Sequence, residues 1–573
     1  MTNSLTDGRG LTVQDVVGLY SFHETHGSCF AFSSDGTKLA FCVQRPLVDA
    51  PHYADMFLAG IARSELYTVE LVTLNVCKVE AKEDCFAPAW SPCGNYLAFG
   101  AATADAIQLG VMDIRTREQL KIPRCSLQLS GMRSFEWIGE GLLASVVVPG
   151  GERPWLLGAD SQGSRKAVAA WQSLDVPGQT TSSTLESPVQ KASAVPTASA
   201  PHEFAVYDVQ NKVGCPLSDH EANPILIQFR SRFDAFHQAG LERGALVSSQ
   251  TLPNGELVAV HEESGQALFL VEDGFGSRLV LCNEVKATQD EIFRTNTHLQ
   301  GIQPGTIRDL EYVDEEGKPR RVRLLLPPNH DETKPAPAVL WVYPGAAPGR
   351  KVRGFHKLHD PSQFNLQLLT TCGYAVIEAA LPLPKGEEPL DMAALVAAKV
   401  RQAIDISVNS GLVDSKRLHV MGHSLGGWAA MSLLTTTDLF KSGIALAGIS
   451  NLISYHGSCD PRMRYDSPAI DGFAMAEMCE RVFRMSGPPW TDTERYVRNS
   501  PIFSVERMNA PLLIVQGDQD YVPISQGEEM FSALSRLGRK ARFVRYWGEG
   551  HVLGKAANIE DLWKNIGEWL DEH

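Results

Sequence analysis

The sequence contains no apolar run long enough to span a bilayer. Its polar opening, Met1 to Asp15, lacks the short apolar core of a secretory leader. These absences point to a cytoplasmic protein with no membrane partner. No Cys-x-x-Cys pair occurs. The eleven cysteines are an odd number scattered from Cys29 to Cys479, which indicates reduced thiols rather than a disulfide framework. No clustered ligand set is visible, so neither a metal nor another cofactor is expected. Basic residues are also short: 52 Lys and Arg stand against 67 Asp and Glu, a formal charge of −15. Phosphate binding needs a basic surface, so a nucleic-acid partner is excluded.

What remains is an ordinary globular composition, 44% hydrophobic and 21% charged. A chain of 573 residues is too long for one core, so at least two domains are expected.

The first three hundred residues read as β. Ala31 to Phe41 is strand, Ser-Ser-Asp-Gly turn, strand. An Asp-Gly step supplies the positive φ of a tight hairpin. The pattern returns at Ala89 to Phe99 around Ser91-Pro92-Cys93-Gly94, more weakly at Phe135 to Ala144, and again at Leu252 to Val260. Alternating strands such as Leu66 to Leu71 and Phe204 to Val209 lie between the copies. A multi-strand unit repeated along a chain predicts a β-propeller of about seven blades over residues 1–300, with a short N-terminal segment. A β-sandwich with coincidental turns is the alternative. Gln179 to Ala200, rich in Ser, Thr, Pro and Ala, reads as a surface loop or blade-edge insertion.

Near Gly301 short apolar strands begin to alternate with helical patterns, the grammar of a parallel sheet. Strands are predicted at Val322 to Leu326, Ala338 to Tyr343, Tyr374 to Ala379, Leu418 to Met421, Gly443 to Ala447, Pro511 to Gln516 and Ala541 to Tyr546. Amphipathic helices are predicted at Leu390 to Asn409 and Ile559 to Leu570. Residues 301–573 therefore read as an α/β-hydrolase domain with a mostly parallel, doubly wound sheet.

Within it, Gly422-His423-Ser424-Leu425-Gly426 fits the G-x-S-x-G elbow, between a predicted strand and a predicted helix from Trp428 to Leu434. The elbow needs small residues two before and two after the serine, where strand and helix nearly touch. Ser424 is the candidate nucleophile, and the backbone N–H of Leu425 a candidate oxyanion donor. A serine needs a base, and on this fold an acid and then a histidine follow it in the chain. Two aspartates, Asp518 and Asp520, follow the strand Pro511 to Gln516. Asp520, farther into the loop, is the candidate acid, while Asp518 suits a turn cap. His551 follows the last strand on a glycine-flanked loop and is the candidate base, with Asp520 fixing its tautomer.

The order Gly422-His423-Ser424-Leu425-Gly426-Gly427, Gly517-x-x-Asp520-x-Val522-Pro523, Gly548-Glu549-Gly550-His551, behind Ser-Pro-x-Gly repeats, resembles the prolyl oligopeptidase family of serine peptidases. That family includes dipeptidyl peptidases and acylaminoacyl peptidases. The resemblance covers nearly the whole chain and is strongest from Gly301 onward. It implies peptide hydrolysis through an acyl-enzyme, with a propeller that admits only short or unstructured peptides; peptide substrates, and a homo-oligomer of this chain, are the partners considered. It also implies an oxyanion role for Tyr343, in Val342-Tyr343-Pro344-Gly345, where many members carry His-Gly-Gly-Pro and the dipeptidyl peptidase branch carries a tyrosine. Two features depart from the family. Tyr521 stands where some members hold a substrate carbonyl with arginine, and the paired glutamates that grip a free peptide amine are not found.

Three functions follow as candidates. The leading one is a peptidase. An isopeptidase of the lasso-peptide type, or an esterase, would use the same triad. A non-catalytic propeller scaffold is the third. The segment Ile453 to Trp490, rich in aromatic, Met and Arg residues such as Tyr455, Arg462, Arg464, Phe473 and Trp490, reads as a helical lid or a specificity pocket.

Overall fold

The computed structural model describes residues 9–573 except 23–26, 50–62, 103–106, 123–125, 130–131, 149–167, 170, 173–201, 216–222, 240–252, 254, 284–286, 350–355, 387 and 461–473. The loop expected at Gln179 to Ala200 lies outside the described residues, as do Arg462, Arg464 and Phe473. The chain forms two compact units. One holds residues 18–161 and 196–300, and the other is built on residues 301–573.

The first unit is a stack of four-stranded antiparallel sheets, in which strands adjacent in sequence pair with each other. Sheet I contains β1 (Phe30–Phe32), β2 (Lys38–Gln44), β3 (Ser64–Glu70) and β4 (Asn75–Lys78). Sheet II contains β5 (Asp84–Trp90), β6 (Tyr96–Ala102), β7 (Ile107–Asp113) and β8 (Gln119–Lys121). Sheet III contains β9 (Phe135–Trp137), β10 (Leu142–Val147), β11 (Glu203–Asp208) and β12 (Val213–Cys215). Sheet IV contains β13 (Glu256–His261), β14 (Gln266–Glu272), β15 (Ser277–Asn283) and β16 (Thr288–Arg294). A strand between two neighbouring sheets has no solvent face, which is why β2 is buried at six consecutive positions instead of alternating.

The sheets pack in the order IV, I, II, III. Phe41 of sheet I stacks on Tyr67 and meets Phe293 of sheet IV with ring centroids 5.1 Å apart. The residue before each turn joins neighbours: Trp90 Nε1 donates to Ala31 O at 3.0 Å, and Trp137 Nε1 donates to Ala89 O at 2.9 Å. The turns themselves form a linked rim. His261 Nε2 donates to Ser34 O at 3.0 Å, Ser34 Oγ to Pro92 O at 2.5 Å, and Cys93 Sγ to Glu140 O at 3.7 Å. First and last sheets therefore meet, as in a propeller.

Two findings differ from the sequence reading. Among the described residues there are four sheets, against about seven blades expected. Three of the four turn copies lie between the first two strands of a sheet, whereas the fourth, Leu252 to Val260, falls at the start of β13 and the hairpin turn of sheet IV is Glu262 to Gly265. Second, the β half also contains a helix, Pro224–Ala239. Its Leu226, Phe229 and Phe233, at helical spacing, cover Ile138, Val146 and Val206 of the sheet III region.

The second unit holds one eight-stranded sheet. Its strands are β17 (Thr306–Val313), β18 (Pro319–Leu326), β19 (Ala336–Trp341), β20 (Ala375–Glu378), β21 (Val413–His423), β22 (Ser442–Leu446), β23 (Leu512–Gly517) and β24 (Ala541–Tyr546). The spatial order is β17-β18-β20-β19-β21-β22-β23-β24. β17, β18 and β20 pair antiparallel, and every other pair is parallel. The helices Met392–Asn409, Leu425–Thr436, Ser525–Arg536 and Ala556–Asp571 pack on it. This is the α/β-hydrolase arrangement. The unit also takes in residues 9–17, which the sequence reading had grouped with the β half. The reason is local: Leu11, Val16 and Val17 are buried, the short helix Val13–Val17 packs on Ala556–Asp571, and Thr371 Oγ1 donates to Leu11 O at 3.1 Å.

Candidate active site

In an open α/β sheet, loops leaving the carboxyl ends of the strands form the site. Ser424 follows β21, Asp520 follows β23, His551 follows β24, and Tyr343 follows β19.

Ser424 has φ 59° and ψ −119°, a region that a residue with a Cβ avoids. Its N–H donates to Leu446 O at 2.8 Å and its carbonyl accepts from Trp428 N at 3.0 Å, so strand and helix impose the turn. The flanking glycines are required by contact. A Cβ on Gly422 would overlap Gly426 O, and one on Gly426 would overlap Val342 O. Leu425 opens the following helix, so its N–H has no intrahelical acceptor and the helix's positive end faces the turn.

The two aspartates of the β23 loop have different partners. Asp520 is fully buried, and its carboxylate accepts from His551 Nδ1 at 2.8 and 3.0 Å. Facing a carboxylate, Nδ1 must carry the proton, which leaves Nε2 as a free base. The N–H of Val522 donates to the same carboxylate at 2.8 Å. Asp518 instead accepts from Gly548 N at 2.6 Å, capping the turn that leads toward the histidine. Among the described residues no hydrogen bond joins Ser424 to His551. Such contacts are commonly long without substrate.

Tyr343 lies beside the elbow, its ring Cδ2 being 3.4 Å from where a Gly426 Cβ would stand. It is 39% exposed, so the ring flanks the serine without being packed away. Its carbonyl accepts from Ala346 N at 3.0 Å, which closes the loop into a turn.

Several groups that shape the site were not assigned roles from the sequence. The His551 imidazole sits between two rings, Tyr521 at 4.2 Å and His423 at 4.5 Å between centroids. His423 Nε2 donates to His551 O at 2.7 Å. Burial holds the His423 pKa down to about 3, helped by the adjacent His551. Glu549 is buried inside the loop that carries His551. Its carboxylate accepts from Gly554 N at 2.9 Å, Lys555 N at 3.1 Å and Asn558 Nδ2 at 2.6 Å. Burial raises its pKa despite those donors. Gln363 braces the same loop, accepting from Leu553 N at 2.9 Å. A Gly-Glu-Gly-His string hints at a glycine-flanked histidine. Nothing in it tells that the glutamate turns inward.

Residues 397–573 match the profile of the prolyl oligopeptidase family. That segment is similar to the prolyl oligopeptidase family over about a third of the chain. Among curated relatives of the family, the uncharacterized peptidase YuxL of Bacillus subtilis is 26% identical over 281 residues, covering 46% of this chain and 39% of YuxL. Acylamino-acid-releasing enzyme 2 of Oryza sativa is 28% identical over 176 residues, covering 30% of this chain and 22% of that enzyme. The chain thus spans less than half the length of either. Two solved structures share the fold over almost the entire chain. The AtxE2 isopeptidase has a TM-score of 0.59 at 15% identity, covering 98% of this chain and 95% of that one. An acylaminoacyl peptidase in complex with Z-Gly-Gly-Phe-chloromethyl ketone has a TM-score of 0.58 at 13% identity, covering 98% and 97%.

Proposed function

We propose that this chain is a serine peptidase that hydrolyses short or unstructured peptides through an acyl-enzyme, with Ser424 as nucleophile, His551 as base and Asp520 as orienter. The observation that carries it is the His551–Asp520 hydrogen bond at 2.8 Å, opening off the same sheet end as a serine held at φ 59°. Ser424 Oγ attacks the scissile carbonyl carbon as His551 Nε2 takes its proton. The oxyanion is met by the Leu425 N–H and by Tyr343. Collapse breaks the C–N bond, and the imidazolium returns its proton to the leaving amine. Water then repeats the sequence on the ester and frees the acid. Buried Asp520 stabilises the imidazolium that each step forms.

Restriction to short or unstructured peptides rests on the family resemblance. A reducing, cytoplasmic setting fits the cysteines, since nine described ones stand outside any disulfide. No described helix is long and apolar enough to cross a membrane. The fold shared with the AtxE2 isopeptidase raises a second reading, in which the same triad opens an isopeptide or ester bond.

A peptide-library digest read by mass spectrometry, with wild type and Ser424→Ala in parallel, tests the proposal. Cleavage by wild type alone supports it. Covalent labelling of wild type by a fluorophosphonate without cleavage of any linear peptide moves the assignment to the second reading. Labelling of Ser424→Ala removes the serine.

A further inference from the structure

We propose that His423, the residue before the nucleophile, is a positioning residue that sets the catalytic histidine through that histidine's backbone. The inference rests on the triad reading above. His423 has its own backbone in β21 and so is fixed by the sheet, whereas His551 sits on a loop. One hydrogen bond joins them, from His423 Nε2 to His551 O at 2.7 Å. Opposite a carbonyl, Nε2 must be the donor, so the neutral ring carries its proton there and Nδ1 is bare. The two rings also touch, with centroids 4.5 Å apart and planes inclined by 50°. Phe364 closes the other side of His423, again at 4.5 Å, and Trp341 backs Phe364 at 5.6 Å.

The chemistry explains why this neighbour must be neutral. During turnover His551 becomes an imidazolium, and a second cation at ring-contact distance would oppose it. The groups facing His423 are apolar Phe364 and the imidazole of His551. Asp520 faces the opposite nitrogen edge of His551, and Tyr521 lies on that ring as well. Among the described residues no carboxylate stands against His423 to favour its charged form. Burial therefore keeps it a neutral donor across the working range. The elbow residue thus ties two loops that chemistry requires in register, the one that aims the nucleophile and the one that carries the base.

The test compares His423→Phe, which keeps a ring and removes the donor, with His423→Gln, whose amide can still reach the carbonyl. Two rates are read: labelling of Ser424 by a fluorophosphonate, and kcat and KM on a peptide identified by the digest. His423→Phe is expected to lose on the order of ten-fold in labelling rate and in kcat with KM unchanged, as a lost hydrogen bond implies. His423→Gln is expected to recover most of that loss. If the phenylalanine protein does not fold, as judged by circular dichroism, His423→Asn makes the comparison, because its amide is too short to reach. Wild-type rates in a folded donor-less variant, or equal losses in the glutamine and donor-less proteins, would overturn the inference. Ser424→Ala run alongside separates the two failures: if it labels, the triad reading fails; if it is silent, only the role of His423 is at issue.

Discussion

Tyr521 lies against the face of His551, with ring centroids 4.2 Å apart and planes inclined by 35°. It is the neighbour of Asp520 in sequence, so one loop supplies both the carboxylate that orients the imidazole and a ring that limits its tilt. Tyr521→Phe is expected to keep kcat within about two-fold, since the ring face remains. Tyr521→Ala is expected to lower kcat about ten-fold, in the range of an aromatic contact worth roughly 1 kcal/mol. Steady-state kinetics on the two variants would decide it. Equal effects would place the role in the hydroxyl rather than the ring.

The two aspartates of that loop give a sharp contrast. Asp520→Asn permits the wrong imidazole tautomer, and in serine proteases with this triad such a change costs about 10⁴ in kcat. Asp518→Asn weakens the bonds from Gly548 N and Gln519 Nε2, and it is expected to lower stability by about 1 kcal/mol while leaving kcat within a few-fold. Activity and urea midpoint measured on both proteins check the assignment. A collapse of activity in the Asp518 variant would reverse it.

Glu549 braces the His551 loop from inside. Glu549→Gln retains one acceptor oxygen and introduces two amide hydrogens facing donors at Gly554, Lys555 and Asn558. The expected result is a loss of about 2–3 kcal/mol in stability, the cost of unpaired buried polar groups, with a fall in kcat as the histidine loop loosens. Thermal denaturation and kinetics on the same sample test this. An unchanged melting temperature would count against the brace.

Acid should unfold this protein through its buried neutral histidines. His419 is buried beside Ser442, with Nδ1 to Oγ at 2.8 Å, and burial lowers its pKa to about 4. Unfolded, it would take a proton below about 6.5. The unfolded state therefore binds more protons as pH falls from about 6.5 to 4, and stability declines through that window by on the order of 3 kcal/mol. Above it the histidine is neutral in both states and contributes no slope. His419→Gln is expected to flatten the pH dependence of the urea midpoint between pH 6.5 and 4. A slope equal to wild type would rule out His419 as the source.

How much of this was legible in the sequence follows from the range of the interactions. Ser424, Asp520 and His551 are singled out because each sits at a strand end with local punctuation, and the structure brings the last two into hydrogen-bond contact. Turn chemistry favours Asp520 over Asp518, and it is Asp520 that lies against His551. The predicted hydrolase strands fell within five residues of the observed ends, the largest error being β21, whose polar start at Asp414 to Arg417 conceals a strand, and β17 was not among them. The number of propeller sheets was not legible, because strands buried on both faces lose the alternation that would count them. The helix Pro224–Ala239 was missed although its apolar positions recur at helical spacing, because it lies alone within a β-rich half. His423 and Glu549 carried no signal, since their partners lie 128 residues away in one case and inside a folded loop in the other.

Residues 9–17 complete the unit that residues 301–573 build, and their short helix rests on Ala556–Asp571. Those residues precede every strand of the sheet they complete, so Leu11, Val16 and Val17 have no apolar surface to cover them until Ala556–Asp571 is in place. Closure of the hydrolase unit thus depends on a contact of very high sequence separation, which forms late in folding.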